Sequence, residues 1–205
     1  MNEPKLILAS SSIYRRNILK KLGMEFSWAT PDIDETPLPN EHPTQLVQRL
    51  AQQKAEKLAE TYSNHLIIGS DQVASIDGQI LGKPLTHEAA ISQLKKCSGR
   101  EVTFITGLCL YNSQSRRIQL SADTYSVKFR RLTTEQIENY LRREQPYDCA
   151  GSFKSEGFGI CLFEKMEGKD PNTLVGLPLI DLIDMLINEG IDPLMMSLNQ
   201  SLPGQ

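Results

Sequence analysis

The runs EVTFITGLCLY at 101–111 and RIQLSADTYSVKF at 117–129 are both long and β-prone, and only the polar turn NSQSR separates them. Runs of that kind so close in sequence pair as an antiparallel hairpin. Elsewhere the pattern alternates. KLILA at 5–9 is a short apolar run consistent with a buried strand, and IYRRNILKKLG follows it with Ile18, Leu19 and Leu22 at helical spacing. A chain that combines long hairpins with helical crossovers folds as one α/β unit around a mixed sheet.

The remaining elements fit that plan. MEFSWAT at 24–30 alternates like a strand, and PDIDETPLPNEHP, rich in proline and acids, reads as a loop. A long helix is predicted from Pro43, because Leu46, Val47, Leu50, Ala51, Ala55, Leu58, Ala59 and Tyr62 form one apolar stripe. HLIIGSDQVASI at 65–76 reads as a strand that turns at Asp77-Gly78 into QIL. THEAAISQLKKCSG carries a Thr cap and ends at Gly99, TTEQIENYLRRE is a capped amphipathic helix, and Pro178 opens a helix through LIDLIDMLINE that stops at Gly190. One domain is expected over residues 1–195, with 196–205 a frayed, flexible C-terminal tail.

Composition excludes several classes. With 205 residues and 40% apolar content the chain can bury a sizeable core. Its formal net charge of −3 gives no general attraction for nucleic acid or an anionic membrane, so a polyanionic substrate needs a local cluster of cations. The N-terminal apolar run is too short for a signal core or a membrane helix, and a cytoplasmic location is expected. Cys97, Cys109, Cys149 and Cys161 form no C-x-x-C pair and read as buried free thiols. His42, His65 and His87 are scattered, so any metal is expected to be a hard ion held by carboxylates.

Several short segments carry candidate chemistry. At 10–16, S-S-S-I-Y-R-R joins a strand to a helix, where unpaired amides, Ser10, Ser12, Arg15 and Arg16 suit phosphate. A plain Ser12 cap with solvated arginines is the commoner reading of such a junction. Glu35, in D-E-T-P at 34–37, reads as a metal ligand or water-positioning group, or as part of a solvated acidic loop. Asp71 follows the apolar run LIIG as a strand-end carboxylate, costly to bury unless it meets a cation or serves as a base. Lys54 lies among polar helix positions, and Lys83 occupies a turn in G-K-P. At 152–159, S-F-K-S-E-G-F-G places Lys154 and Glu156 among glycines that imply tight backbone geometry. None of these segments decides a function alone.

Taken in order, they resemble the Maf family of nucleoside triphosphate pyrophosphatases over roughly residues 4–195. The family opening L-A-S-x-S-P-x-R is matched by L-A-S-S-S-I-Y-R at 8–15, with Ile13 where proline is usual. D-E-T-P, the A-x-x-K-A helix around Lys54, G-S-D-Q at 69–72, G-K-P and T-G-L at 106–108 match as well. The resemblance implies an elongated, Maf/ITPase-like α/β fold with two lobes around a deep substrate groove, often assembled as a homodimer. It implies Asp71 as proton acceptor, Glu35 as its catalytic or metal partner, and Ser10, Ser12, Arg15, Lys54 and Lys83 along the triphosphate. It also implies a divalent cation (Mg, Mn or Co), held at Glu35 and Asp71.

Tyr14, Gln72 and Glu156 match the positions by which family members select a base. Members acting on dTTP and UTP typically carry Arg, Thr and Gln there; an aromatic residue with Gln and Glu resembles the subgroup acting on 7-methyl-GTP. Methylation at N7 makes the guanine cationic, which suits an aromatic face, and Glu156 suits the paired donors of the guanine edge. Two other hypotheses stand beside this one: the same hydrolysis of dTTP, UTP or another modified nucleotide, and a regulatory role in septum formation and cell division with incidental nucleotide binding. Retention of both Glu35 and Asp71 argues for turnover.

Overall fold

A computed structural model describes residues 4–155 and 157–195 of the chain. Glu156 and the expected tail at 196–205 therefore lie outside the described residues. The strands are β1 (Lys5–Ala9), β2 (Phe26–Ala29), β3 (His65–Ile76), β4 (Gln79–Leu81), β5 (Glu101–Asn112), β6 (Arg117–Phe129) and β7 (Phe163–Gly168). The helices are α1 (Ile13–Leu19), α2 (Pro43–Ala59), α3 (His87–Cys97), α4 (Thr134–Glu144), α5 (Pro171–Val175) and α6 (Leu179–Asn188).

The strands form one 7-stranded mixed sheet in the order β2-β1-β3-β5-β6-β7, with β4 paired to β3. β1 runs parallel to both β2 and β3, whereas β5, β6 and β7 continue antiparallel. β1 pairs with β3 only as far as Gly69, and β4 takes up pairing only from Ala74. Between those points, one edge of β3 is uncovered.

Helices fill both faces of the sheet. Ile18 and Leu19 of α1 and Leu182, Met185 and Leu186 of α6 pack on Leu8, Ile68 and Leu110. Farther along β5 and on β6, Leu94 of α3 and Ile137 and Leu141 of α4 meet Phe104, Val127 and Phe129. These two cores make the two lobes. On the opposite face α2 lays Val47, Leu50, Ala51 and Ala55 against Ile67, Val73 and Ile105. Gly69 and Gly107 permit that contact. A Cβ at Gly69 would lie 2.0 Å from the Ala51 carbonyl oxygen, and one at Gly107 would lie 2.2 Å from that of Val47.

The helix ends follow their sequence signals. Thr86 and Thr133 cap α3 and α4, His42 and Gln45 form a capping box ahead of Pro43, and Gln136 closes a second box with Thr133. β7 and α5 were not expected from the sequence. Burial pushes the Cys97 and Cys109 thiols up to about 12, in line with inert core cysteines, but Cys161 is exposed, contrary to the expectation of buried thiols. Among the described residues no helix is long and apolar enough to cross a membrane.

Candidate functional site

Where β3 lacks a neighbour, a cleft of about 690 Å³ opens between the lobes. It lies beyond the carboxyl ends of the parallel strands β1 and β2, the position at which open α/β sheets bind ligands. Of the residues singled out above, Ser10, Ser12, Tyr14, Arg15, Glu35, Lys54, Asp71, Gln72 and Lys83 all line it.

At the centre are Lys54, Asp71 and Glu35. The Lys54 ammonium lies 2.7 Å from Asp71 Oδ1 and 2.8 Å from Glu35 Oε1. Lys54 is only 6% exposed and Asp71 8%, while the Glu35 side chain stands 59% exposed at the mouth. Of the two readings open for Lys54, plain surface and cleft residue, its burial excludes the first. The close approach of α2 to Gly69 and Gly107 brings Lys54 down onto β3. Asp71 departs from expectation: it lies inside β3, opposite Gly107 of β5, rather than at a strand end. What ends near it is the cover provided by β1.

Buried ions persist when paired, and removing one partner of such a pair costs about 3–5 kcal/mol. Burial works against the charged form of Glu35, but the Lys54 hydrogen bond and charge, with Lys83 and Arg15 behind them, hold its carboxyl below the ordinary value. Both carboxylates are therefore supported by one cation. This shared ammonium shows that the pair can direct oxygen atoms at a positive charge. Among the described residues no three His, Cys, Asp or Glu side chains gather as a metal cage.

Ser12 is the cap of α1 and also stands at the cleft. Its side chain accepts from the Arg15 amide, and its own amide donates to Ser10 Oγ. Arg15 Nε donates to the Gly176 carbonyl at 2.8 Å. Burial pushes the guanidinium below its usual value, opposed by Asp71 and Glu35. Arg16 leaves this group and stacks over Trp28, 4.1 Å from the ring centre.

The carbonyl that holds Arg15 belongs to an element the sequence reading missed. α5 ends at Gly176, where φ is 112°, and Ser70 Oγ donates to the same carbonyl at 2.8 Å. Gln72 Nε2 donates to the Thr173 and Leu174 carbonyls and to Thr106 Oγ1, and Thr106 Oγ1 donates to Thr173. Polar side chains of β3 and β5 thus bind the last carbonyls of α5 and the carbonyl of its cap. Gln72 lines the cleft with its amide nitrogen engaged by these acceptors. Asp170-Pro171, a helix cap followed by a first-turn proline, was the available signal for α5.

The far wall comprises Lys83, after β4, and the segment containing Asp148, Phe153 and Lys154. Lys154 Nζ donates to the Glu144 carbonyl at 3.2 Å.

The model for the family described as "Maf-like protein" matches residues 5–189. The chain belongs to the Maf-like protein family. Among solved structures, that of the Staphylococcus aureus Ham1 protein is similar over 91% of this chain and 100% of that one, at 14% identity and a TM-score of 0.48. Within the Maf-like family this chain combines a buried Lys-Asp pair, an accessible glutamate and further cations in one cleft.

Proposed function

We propose that this Maf-like protein hydrolyses a nucleoside triphosphate between its α- and β-phosphates, releasing the monophosphate and pyrophosphate, and that 7-methyl-GTP is its preferred substrate. Family membership supports nucleotide pyrophosphatase activity in general. The observation that carries the reading is the Lys54 bridge between Asp71 and Glu35 at the floor of a cleft that also contains Arg15 and Lys83.

In this reading a water lies in line with the α-phosphorus. Its oxygen forms the new P–O bond, the bond to the β-bridging oxygen breaks, and pyrophosphate leaves. Lys54 holds Asp71 through Oδ1, and Oδ2 takes the proton from the water. Ser10, Arg15 and Lys83 bind phosphate oxygens and stabilise the charge on the leaving group. Glu35 and Asp71, with phosphate oxygens completing the set, would hold a divalent ion such as magnesium, manganese or cobalt. When bound, such an ion supplies Lewis-acid stabilisation of phosphate charge.

Base choice rests on Tyr14, Gln72 and Glu156. Tyr14 stacks on the cationic methylated ring, Gln72 offers its carbonyl oxygen, and Glu156 accepts from the guanine edge. The test is pyrophosphate release from 7-methyl-GTP, GTP, dTTP and UTP under a common divalent ion. The highest kcat/KM is expected for 7-methyl-GTP. A preference for dTTP or UTP removes the base assignment, and no release from any nucleotide removes the hydrolytic reading in favour of a binding or regulatory role.

A further inference from the structure

Glu35 sits on an irregular, proline-rich segment, yet its carboxylate meets Lys54 at 2.8 Å. Something must restrain that segment, because a loop alone retains the conformational freedom that positioning has to remove. The restraint comes from α2. Arg49 grips Glu41 with two charge-assisted bonds, Nε to Oε1 at 2.6 Å and Nη2 to Oε2 at 2.7 Å. The same Nη2 donates to the Thr36 carbonyl at 3.2 Å, next to Glu35. Nη1 donates to Gln53 Oε1 on the following helical turn, adjoining Lys54. Within the loop, Glu41 Oε2 accepts from the Leu38 amide and Asp34 Oδ1 from the Thr36 amide. One guanidinium therefore ties both ends of the Asp34–Glu41 segment to the helix that carries Lys54.

From this geometry we infer that Arg49, with Glu41 as its partner, is a positioning residue that holds Glu35 in register with Lys54 and Asp71. The inference rests on the pyrophosphatase reading, in which Glu35 serves the reaction. Arg49 does not line the cleft as Glu35 and Lys54 do, so it acts through the loop, beside a charge interaction with Asp71 that Arg49→Lys retains. The planar fork of arginine is essential, because a lysine at this position supplies one charge but cannot span Glu41 and Thr36 together. The Arg49 contact also holds the Glu41 carboxyl down to about 2, so the tie persists throughout the neutral and mildly acidic range.

The test combines kinetics with hydrogen exchange. Arg49→Lys and Glu41→Gln are each expected to lower kcat by about tenfold to hundredfold, the range expected for a small misplacement of a reacting group, with KM little changed. Amides of 34–41 should exchange faster in both variants, while those of β3 remain as protected as in wild type. In a Glu35→Gln background, Arg49→Lys should lose most of its effect on kcat, because the group it positions is already gone. Undiminished, multiplicative losses in that background, or unchanged exchange of the loop, overturn the inference. A wild type that releases no pyrophosphate instead overturns the functional reading, and loop exchange still reports whether Arg49 restrains the segment.

Discussion

Asp71 and Lys154 face one cleft from walls built in different ways. Asp71 belongs to a strand paired residue by residue with β5 and covered by α2, at two glycines that admit almost no other side chain. Lys154 follows a 3₁₀ turn in which Gly151 and Ser152 have φ of 76° and 62°, so a non-glycine residue is held in the left-handed region. That wall is fixed by one buried ring, Phe153 packed on Phe104, Phe129 and Phe163, and by individual links. Ser152 donates to Gln93, the Lys154 amide to Tyr140, and the Phe158 amide to Glu144. In the proposed function, the first wall carries the general base of the step common to every nucleoside triphosphate, while Lys83 reaches the phosphates from the second wall and Gln72 reaches the nucleobase from the first. Regular elements can hold reacting groups within fractions of an ångström, and a loop wall can change its residues without disturbing them.

The sharpest way to break this division is at Asp71. Asp71→Asn retains an oxygen to accept from Lys54 and should preserve the fold, but it cannot take a proton. Turnover of every nucleotide should fall together by about a hundredfold to ten-thousandfold, the usual contribution of a positioned base. Pyrophosphate release measured beside circular dichroism checks this. Near-normal rates in the folded variant remove Asp71 from the mechanism.

The base side of the proposal is tested by Glu156→Gln. This change leaves one acceptor and adds a donor opposite two donors. The charge-assisted bond lost contributes about 1.5–3 kcal/mol, roughly a tenfold to hundredfold fall in kcat/KM for guanine nucleotides. UTP and dTTP should be far less affected. Equal losses on all four substrates would place Glu156 in the common step and dissolve the comparison.

The division also tracks what the sequence made legible. Long periodic or alternating segments, such as Pro43–Ala59 and the β5–β6 hairpin, declare themselves. Short ones do not: α5 spans only Pro171–Val175, and β7 follows an irregular segment with no alternating apolar face. The buried state of Lys54 was partly legible. It falls three residues after Ala51 and four before Leu58, within the apolar stripe of α2, and a lysine there calls for a buried anion. Its partner could not be assigned from spacing, because Asp71 reaches it through a helix-to-sheet contact set by Gly69 and Gly107. Arg49 gave little signal: beyond Gln53 on its own helix, its partners are a loop carboxylate and a main-chain carbonyl.

Gly107→Ala probes the rigid wall without touching its chemistry. The new Cβ would meet the Val47 carbonyl at 2.2 Å, so α2 must move away from β5. Overpacking of this kind costs about 1–3 kcal/mol. A lower Tm is expected, together with slower turnover of all four nucleotides, because Lys54 moves with the helix. A normal Tm would show that α2 can shift freely, and that close packing is not what holds Lys54 against Asp71.

The smallest effect should come from Tyr14, and it separates electrostatics from shape. Tyr14 lines the cleft from α1, next in sequence to Arg15. A ring stacked on a neutral guanine contributes mainly apolar contact, whereas N7 methylation adds a positive charge facing the aromatic π cloud. Tyr14→Ala removes both contributions for 7-methyl-GTP but only the first for GTP. The cation–π part is about 0.5–2 kcal/mol, so the ratio of kcat/KM between the two nucleotides should fall by roughly twofold to thirtyfold. Tyr14→Phe keeps the aromatic face and should restore most of that ratio. If Tyr14→Ala lowers both substrates equally, Tyr14 contributes surface but not charge recognition, and the preference for a methylated base must arise instead from Gln72 or Glu156.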